Sequence, residues 1–133
     1  MKYIISTILW MCLIYAASAD SVSVEHSQDL LKFAGLEAFL YIVRKGCHFM
    51  IFAVLAWLAS GIFMKHRFWW ISAFVLSAIY AGLDEYHQSF VPGRTALFSD
   101  VLIDSAGSIF GIFVFYVMKK KRIDYKAINS KVS

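Results

Sequence analysis

Side chains that can perform chemistry are concentrated in three short segments of this chain. The segment RKGCHF, residues 44–49, carries two cations and an imidazole, and LDEYHQSFVPGR, residues 83–94, combines carboxylates with a histidine, an amide and a guanidinium. FSDVLID, residues 98–104, adds two more carboxylates. Carboxylates and imidazole can act as general acids or bases or hold a divalent cation, whereas arginine and lysine bind phosphate or carboxylate groups. The candidate site residues are Arg44, Lys45, His48, Asp84, Glu85, Gln88, Arg94, Asp100 and Asp104.

The rest of the chain is too apolar for a soluble domain of its size. Of 133 residues, 60% are hydrophobic and 17% are aromatic, which indicates that lipid surrounds most of the chain. The formal net charge of +4 comes mostly from residues 119–133, which follow an apolar run. Such a tail is typical of a topology signal or a contact with anionic lipid. The expected partner is therefore the lipid bilayer, and not a nucleic acid.

Four apolar runs predict an all-α fold, a four-transmembrane-helix bundle. Each run is close to the about 20 residues that cross the hydrocarbon core as a helix. Between the first two runs, LLKFAGLEAFLYIV (residues 30–43) is amphipathic enough to form a short interfacial helix or to extend the second helix. The runs cover residues 3–19, roughly 45–64, 68–83 with a further turn, and roughly 99–118.

Residues 1–118 are predicted to form one membrane domain, followed by a basic cytoplasmic tail at residues 119–133. The first run also has a second interpretation, because Lys2, an apolar stretch and ASA before Asp20 fit a cleavable signal peptide. A retained first helix is the favoured interpretation.

The lysines and arginines predict that both termini lie in the cytoplasm. This orientation places Lys2, Lys65, Arg67 and the basic tail inside, and the loops are short enough for the positive-inside rule to apply. The smaller set outside consists of Lys32, Arg44, Lys45 and Arg94.

With this orientation, the candidate residues fall at similar depths. At about 1.5 Å per helical residue, His48 lies about 24 Å from the inner end of its helix, Asp84 about 24 Å and Asp104 about 21 Å. Helical spacing also brings candidates onto common faces, and Asp104 continues into a stripe of small residues, Gly107, Ser108 and Gly111, that allows close helix approach. We therefore expect a polar pocket in the outer half of the membrane.

Several motif elements follow one another along the chain: Arg44-Lys45, His48-Phe49, Asp84-Glu85 with Gln88, Pro92-Gly93-Arg94, and Asp100 with Gly107 and Gly111. In this order they resemble the VanZ-like family of small bacterial integral membrane proteins, over nearly the whole chain up to about residue 118. Two positions depart from the family pattern. Ile51-Phe52 stand where an acidic-aromatic pair is often found, and Asp104 stands where Asn is frequent.

The resemblance implies a location in the bacterial cytoplasmic membrane and a role in the cell envelope. The founding member of the family is associated with low-level resistance to the glycopeptide teicoplanin. The predicted function is therefore that of a VanZ-like membrane protein whose outward-facing pocket binds a ligand, such as an anionic lipid or a cell-wall precursor.

Three interpretations of the candidate residues stay open. They can form a structural charge network that pins the helices together. They can bind an anionic or amphiphilic ligand, with Arg44, Lys45 and Arg94 holding a phosphate or carboxylate. The alternative is a membrane-embedded hydrolase or transferase acting on a phosphate-bearing lipid, in which carboxylates and His48 hold a divalent metal or supply an acid and a base.

The sequence identifies no cofactor and assigns no set of metal ligands, and it leaves open whether the protein is an enzyme.

Overall fold

The computed structural model describes residues 1–19, 37–91 and 98–132, and within these ranges the chain is helical without strands. The all-α prediction is thus confirmed. Four helices run along the chain: α1 (Lys2–Ala19), α2 (Glu37–Phe63), α3 (Trp69–Gln88) and α4 (Phe98–Val132).

The second helix begins earlier than its apolar run. Residues 37–43, predicted as part of an interfacial segment, form the first turns of α2. The segment EAFLYIVRKG contains no proline, so the helix continues without a break from residue 37 to Arg44 and Lys45. The remainder of the predicted interfacial helix, like the rest of residues 20–36, lies outside the described residues.

Two of the four helices are long and apolar enough to cross a membrane by length and composition, where four were predicted. They are Tyr41–Phe63 within α2 and Phe98–Tyr125 within α4. The apolar part of α1, Lys2–Ser18, is shorter. The apolar character of α3 is reduced because it begins with Trp69 and Trp70 and carries Asp84 and Glu85 near its end.

The closest helix approach is between α2 and α4, which run parallel. A methyl group placed on Gly107 would collide with the backbone carbonyl of Phe49, and one on Gly111 would collide with that of Ala53. Small residues allow this approach, since they let one backbone lie directly against another where lipid provides no hydrophobic driving force. The stripe that starts at Asp104 therefore faces α2.

The first helix is joined to the bundle by hydrogen bonds between side chains and backbone. The Trp10 indole donates to the Ile51 carbonyl oxygen at 3.0 Å, and the Tyr80 hydroxyl donates to the Met11 carbonyl oxygen at 2.5 Å. Ile14 is buried between these contacts together with Phe52. These bonds fix α1 against both α2 and α3.

One end of the bundle is basic and aromatic, and we call it the basic end. Lys119 of α4 donates to the Met64 carbonyl oxygen at 3.4 Å and lies over the Trp69 ring. Phe115 packs against the same ring and against Trp57. The turn between α2 and α3 is thereby fixed to α4, and α4 continues beyond it as a helix to Val132. The predicted basic tail is therefore helical over its described residues.

The close packing of α2 and α4 predicts a specific cost for a single methyl group. Gly111→Ala is expected to lower the free energy of unfolding by about 1–3 kcal/mol, because the methyl group overpacks the contact with Ala53. Thermal unfolding in detergent, followed by circular dichroism, measures the change.

The matched control is Gly82→Ala, since a methyl group there meets no atom within 4 Å. Alanine is the better helix former by about 1 kcal/mol, so this variant is expected to unfold no earlier than the parent protein. Equal losses of stability in both variants would contradict the close approach of α2 and α4.

Candidate functional site

Seven of the nine candidate residues come together at the end of the bundle opposite the basic end, and we call them the polar cluster. They project from the beginning of α2, the last turns of α3 and the beginning of α4, so that three helices contribute. Within each helix they are one, three or four residues apart, which keeps them on neighbouring parts of one face. The polar cluster consists of Lys45, His48, Asp84, Glu85, Gln88, Asp100 and Asp104.

Lys45 and Asp100 form a buried ion pair that connects α2 to α4. Their side chains are 10% and 8% exposed, so water screens the attraction little. Asp100 lies in the first turn of α4, where the free backbone N–H groups favour a negative charge, and the Ser99 hydroxyl lies 3.2 Å from its carboxylate. The Lys45 ammonium also interacts electrostatically with Glu85 and Asp104.

Asp104 and His48 form the centre of the polar cluster. The Asp104 side chain is fully buried, and His48 Nδ1 lies 3.4 Å from Asp104 Oδ1, within ion-pair range but long for a hydrogen bond. Neither carboxylate oxygen of Asp104 has a hydrogen-bond partner within residues 1–19, 37–91 and 98–132. The neighbouring Ser108 hydroxyl donates to the backbone carbonyl of Asp104 and not to its carboxylate.

Glu85 brings α3 to the same point. One atom each of His48, Glu85 and Asp104 lies within 4.8 Å of the others. Asp84, the preceding residue, interacts electrostatically with Asp104. Two adjacent carboxylates of α3 therefore approach the fully buried carboxylate of α4.

The first helix also contributes to this end of the bundle, through a residue that the sequence reasoning missed. The Gln88 amide donates to Asp84 Oδ2 at 2.7 Å and lies 3.4 Å from the hydroxyl of Ser18, which is buried. Tyr15 of α1 stacks on His87 with ring centroids 4.4 Å apart. The available signal for Ser18 was its place among alanines at the end of an apolar run, where a small polar residue can hydrogen-bond across helices.

Two predicted site residues are not placed in the polar cluster. Arg44 is half-buried and forms no ion pair with a carboxylate among the described residues. Lys45, the next residue, is buried, and a role for Arg44 on the face it shares with His48 stays a prediction. Arg94 lies outside the described residues.

Negative charge outweighs positive charge in the polar cluster. Four buried carboxylates face one lysine, and even a protonated His48 would leave two cations against four carboxylates. An uncompensated charge is expensive in a low-dielectric surrounding, so these carboxylates need protons, cations or hydrogen-bond donors from beyond the seven residues of the polar cluster.

The fold and the polar cluster define a class: small helical proteins with apolar helices of membrane-spanning length and buried charge between them. Residues 3–119 match the VanZ/LLP1 family, and the chain belongs to that family, which confirms the resemblance indicated by its motifs. No curated protein and no solved structure matches the chain.

The two departures from the family pattern have structural consequences in this chain. Phe52, at one position of the missing acidic-aromatic pair, is fully buried in the apolar core. Asp104, the second departure that the resemblance indicates, is the fully buried carboxylate at the centre of the polar cluster, beside His48.

The Lys45–Asp100 pair predicts that removing one partner destabilises the bundle. Asp100→Asn is expected to cost about 3–5 kcal/mol of unfolding free energy, because it leaves a buried ammonium without its main counter-ion. Combining it with Lys45→Met is expected to cost less than the two single changes added together, and a double-mutant cycle from thermal unfolding measures the difference.

Asp124→Asn is the matched control, as the same chemical change at an exposed position of α4. It is expected to leave the melting temperature unchanged. Strict additivity of the Lys45 and Asp100 changes would show that the two side chains do not interact.

Proposed function

We propose that the chain is a multi-pass protein of the bacterial cytoplasmic membrane that crosses it four times, with both termini in the cytoplasm. Support comes from family membership, from the two helices of membrane-spanning character and from the packing of α1 and α3 along them. The 20 residues of α3 extend about 30 Å, the thickness of the hydrocarbon core. We also propose that α1 is retained, since its loss would remove the acceptor of the Tyr80 hydroxyl.

This topology places the basic end in the cytoplasm and the polar cluster toward the outside. In a protein with Cys12 and Cys47 replaced by serine, a thiol at Phe90 is expected to react with a membrane-impermeant maleimide on intact spheroplasts. A thiol at Lys121 is expected to react only after permeabilisation, and both wild-type side chains are exposed. The reverse labelling pattern would invert the topology.

Within this topology, the polar cluster is a binding site for the head group of an envelope amphiphile, such as an anionic lipid or a cell-wall precursor. One observation carries this proposal: Asp104 is fully buried, and its carboxylate has no hydrogen-bond partner among the described residues. In a network that serves packing alone, buried charges are expected to be both paired and hydrogen-bonded, whereas Asp104 has only the long 3.4 Å contact with His48. An unsatisfied carboxylate is instead suited to a ligand that supplies donors such as hydroxyl or amine groups.

The remaining groups fit the same kind of ligand. Arg44, half-buried beside the polar cluster, is free of ion pairs with the described carboxylates and can hold a phosphate or carboxylate of the ligand. Phe90 and Phe98 are exposed at the ends of the helices that carry the cluster, where they can lie against the acyl part. Teicoplanin resistance would be one outcome of binding such a molecule.

Ligand binding predicts that Asp104→Asn loses a co-purified amphiphile. Mass spectrometry of lipids extracted from protein in native nanodiscs is expected to show an anionic lipid or cell-wall precursor enriched with the parent protein and depleted with the variant. Asp124→Asn is the control, and a stable Asp104→Asn protein with unchanged lipids would contradict the proposal. Precursor pools and teicoplanin susceptibility of cells expressing each variant give an independent readout.

A second candidate function is hydrolysis of, or transfer from, a phosphate-bearing lipid. The observation that favours it is the buried His48–Asp104 pair, in which the carboxylate can orient the imidazole as a general base. For hydrolysis, the imidazole would take a proton from water as the water oxygen bonds to phosphorus, and return that proton to the oxygen that leaves. If His48→Gln abolishes turnover of the co-purified lipid but retains its binding, the enzyme is favoured over the binding protein.

A further inference from the structure

Three side chains from three different helices point potential metal ligands at one another. His48 of α2, Glu85 of α3 and Asp104 of α4 each offer one nitrogen or oxygen atom, and these atoms all lie within 4.8 Å of one another. Within this group, His48 Nδ1 lies 3.4 Å from Asp104 Oδ1. Ligand atoms about 2.1 Å from a tetrahedral ion are themselves about 3.4 Å apart, so this pair already has the required spacing.

Asp104 supplies a separate indication that the group takes a ligand. Its side chain is 0% exposed, and apart from the long 3.4 Å contact of His48 Nδ1 with Oδ1, its carboxylate oxygens accept no hydrogen bond within the described ranges. The Ser108 hydroxyl, one helical turn away, donates to the Asp104 backbone carbonyl and not to the carboxylate. A carboxylate buried in this state costs free energy unless a cation or donor reaches it.

Two other charged groups of residues 1–19, 37–91 and 98–132 interact with this point. Lys45 interacts with both Glu85 and Asp104, but its ammonium is ion-paired with Asp100. Asp84 adds a further negative charge beside Asp104. A doubly charged cation would attract the Glu85 and Asp104 carboxylates more strongly than a single positive charge such as a lysine ammonium.

We propose that His48, Glu85 and Asp104 bind one divalent cation of the Zn²⁺ or Mn²⁺ class. Imidazole nitrogen suits first-row transition metals and Zn²⁺, carboxylate oxygen suits Mn²⁺, and a set with one nitrogen and two oxygens suits ions that accept both. Three protein ligands leave at least one position open.

The metal site adds a mechanism to the proposed function. The identity of the molecule that would bind to the metal, the head group of an amphiphile, rests on the proposed function. A phosphate-bearing head group is repelled by an excess of carboxylates, whereas a bound cation with an open position attracts a phosphate oxygen. The cation would thus explain how a negatively charged cluster binds an anionic amphiphile.

The full-length protein in detergent, stripped with a chelator and titrated with Zn²⁺ alone, tests the site. We expect one Zn²⁺ per chain by elemental analysis after removal of free metal. Asp104→Asn and Glu85→Gln are expected to weaken Zn²⁺ binding by more than the about 10- to 100-fold typical of losing a group that only orients a ligand. Asp124→Asn, the same change on the exposed side of α4, is expected to bind like the parent protein.

Mn²⁺ provides a readout that does not depend on variant stability. Pulsed electron paramagnetic resonance of the Mn²⁺-loaded parent protein is expected to show coupling to an imidazole ¹⁴N, and His48→Gln is expected to remove it. Absence of stoichiometric metal, absence of nitrogen coupling in the parent protein, or unchanged binding in a folded Asp104→Asn protein would each overturn the site.

The outcomes also separate the metal site from the proposed function. Retention of the amphiphile by a protein that binds no metal would overturn the metal site alone. Stoichiometric metal in a protein that retains no amphiphile would leave the metal site standing and remove the proposed function.

Discussion

Burying carboxylates among apolar helices is the constraint on which this structure depends. A charge in a low-dielectric surrounding must find a counter-charge, a proton or a donor, and several charges together need an arrangement that serves all of them. The chain meets this constraint by drawing the polar ends of three helices to one place. Lys45 compensates Asp100, and Gln88 donates to Asp84. Asp104 is left with an ion-pair contact to His48 and without a hydrogen bond from the described residues.

The apolar half of the bundle makes that arrangement possible. Gly107 and Gly111 let α4 lie against the backbone of α2. This close approach brings Asp104 of α4 next to His48 of α2. If α2 and α4 were further apart, lipid or water would lie between them. The buried charges of the two helices would then no longer contact one another. Tyr80 and Trp10 then fix α1 along the opposite side, so that Ser18 reaches Gln88. The close backbone contact between α2 and α4 is thus what brings the buried charged side chains together.

Much of this could be predicted from residue types and spacing. Hydrophobic runs located the four helices, and counting along them placed His48, Asp84 and Asp104 at one depth, because rise per residue is nearly constant in a helix. Rotation about the helix axis was harder to predict. Adjacent positions differ by about 100°, so Arg44 and Lys45 could not both face the cluster, and packing selected Lys45. The i, i+4 relation of Arg44 to His48 left open which of the two neighbouring cations, Arg44 or Lys45, would be buried.

Helix boundaries and membrane character were also only partly predictable. Residues 37–43 joined α2 because no helix breaker separates them from Arg44, although their amphipathic pattern equally fits an interfacial helix. Charged residues that serve the cluster lower the apolar character of α3, so the feature that marks the site weakens the signal for a membrane span. The contact of Ser18 with Gln88 was not predicted, because a single serine in an apolar run does not indicate which residue its hydroxyl contacts.

The central statement is that an imidazole from α2 and a carboxylate from α4 meet between helices. Rotational-echo double-resonance NMR on protein in lipid bilayers, with ¹⁵N in the histidine ring and ¹³C in the aspartate carboxyl groups, measures this contact directly. The 3.4 Å separation of His48 Nδ1 and Asp104 Oδ1 brings the Asp104 carboxyl carbon close enough to the ring nitrogen for a measurable dipolar coupling, which disappears in His48→Gln. A parent protein without that coupling would show that the two side chains do not face each other, and the polar cluster would not exist as described.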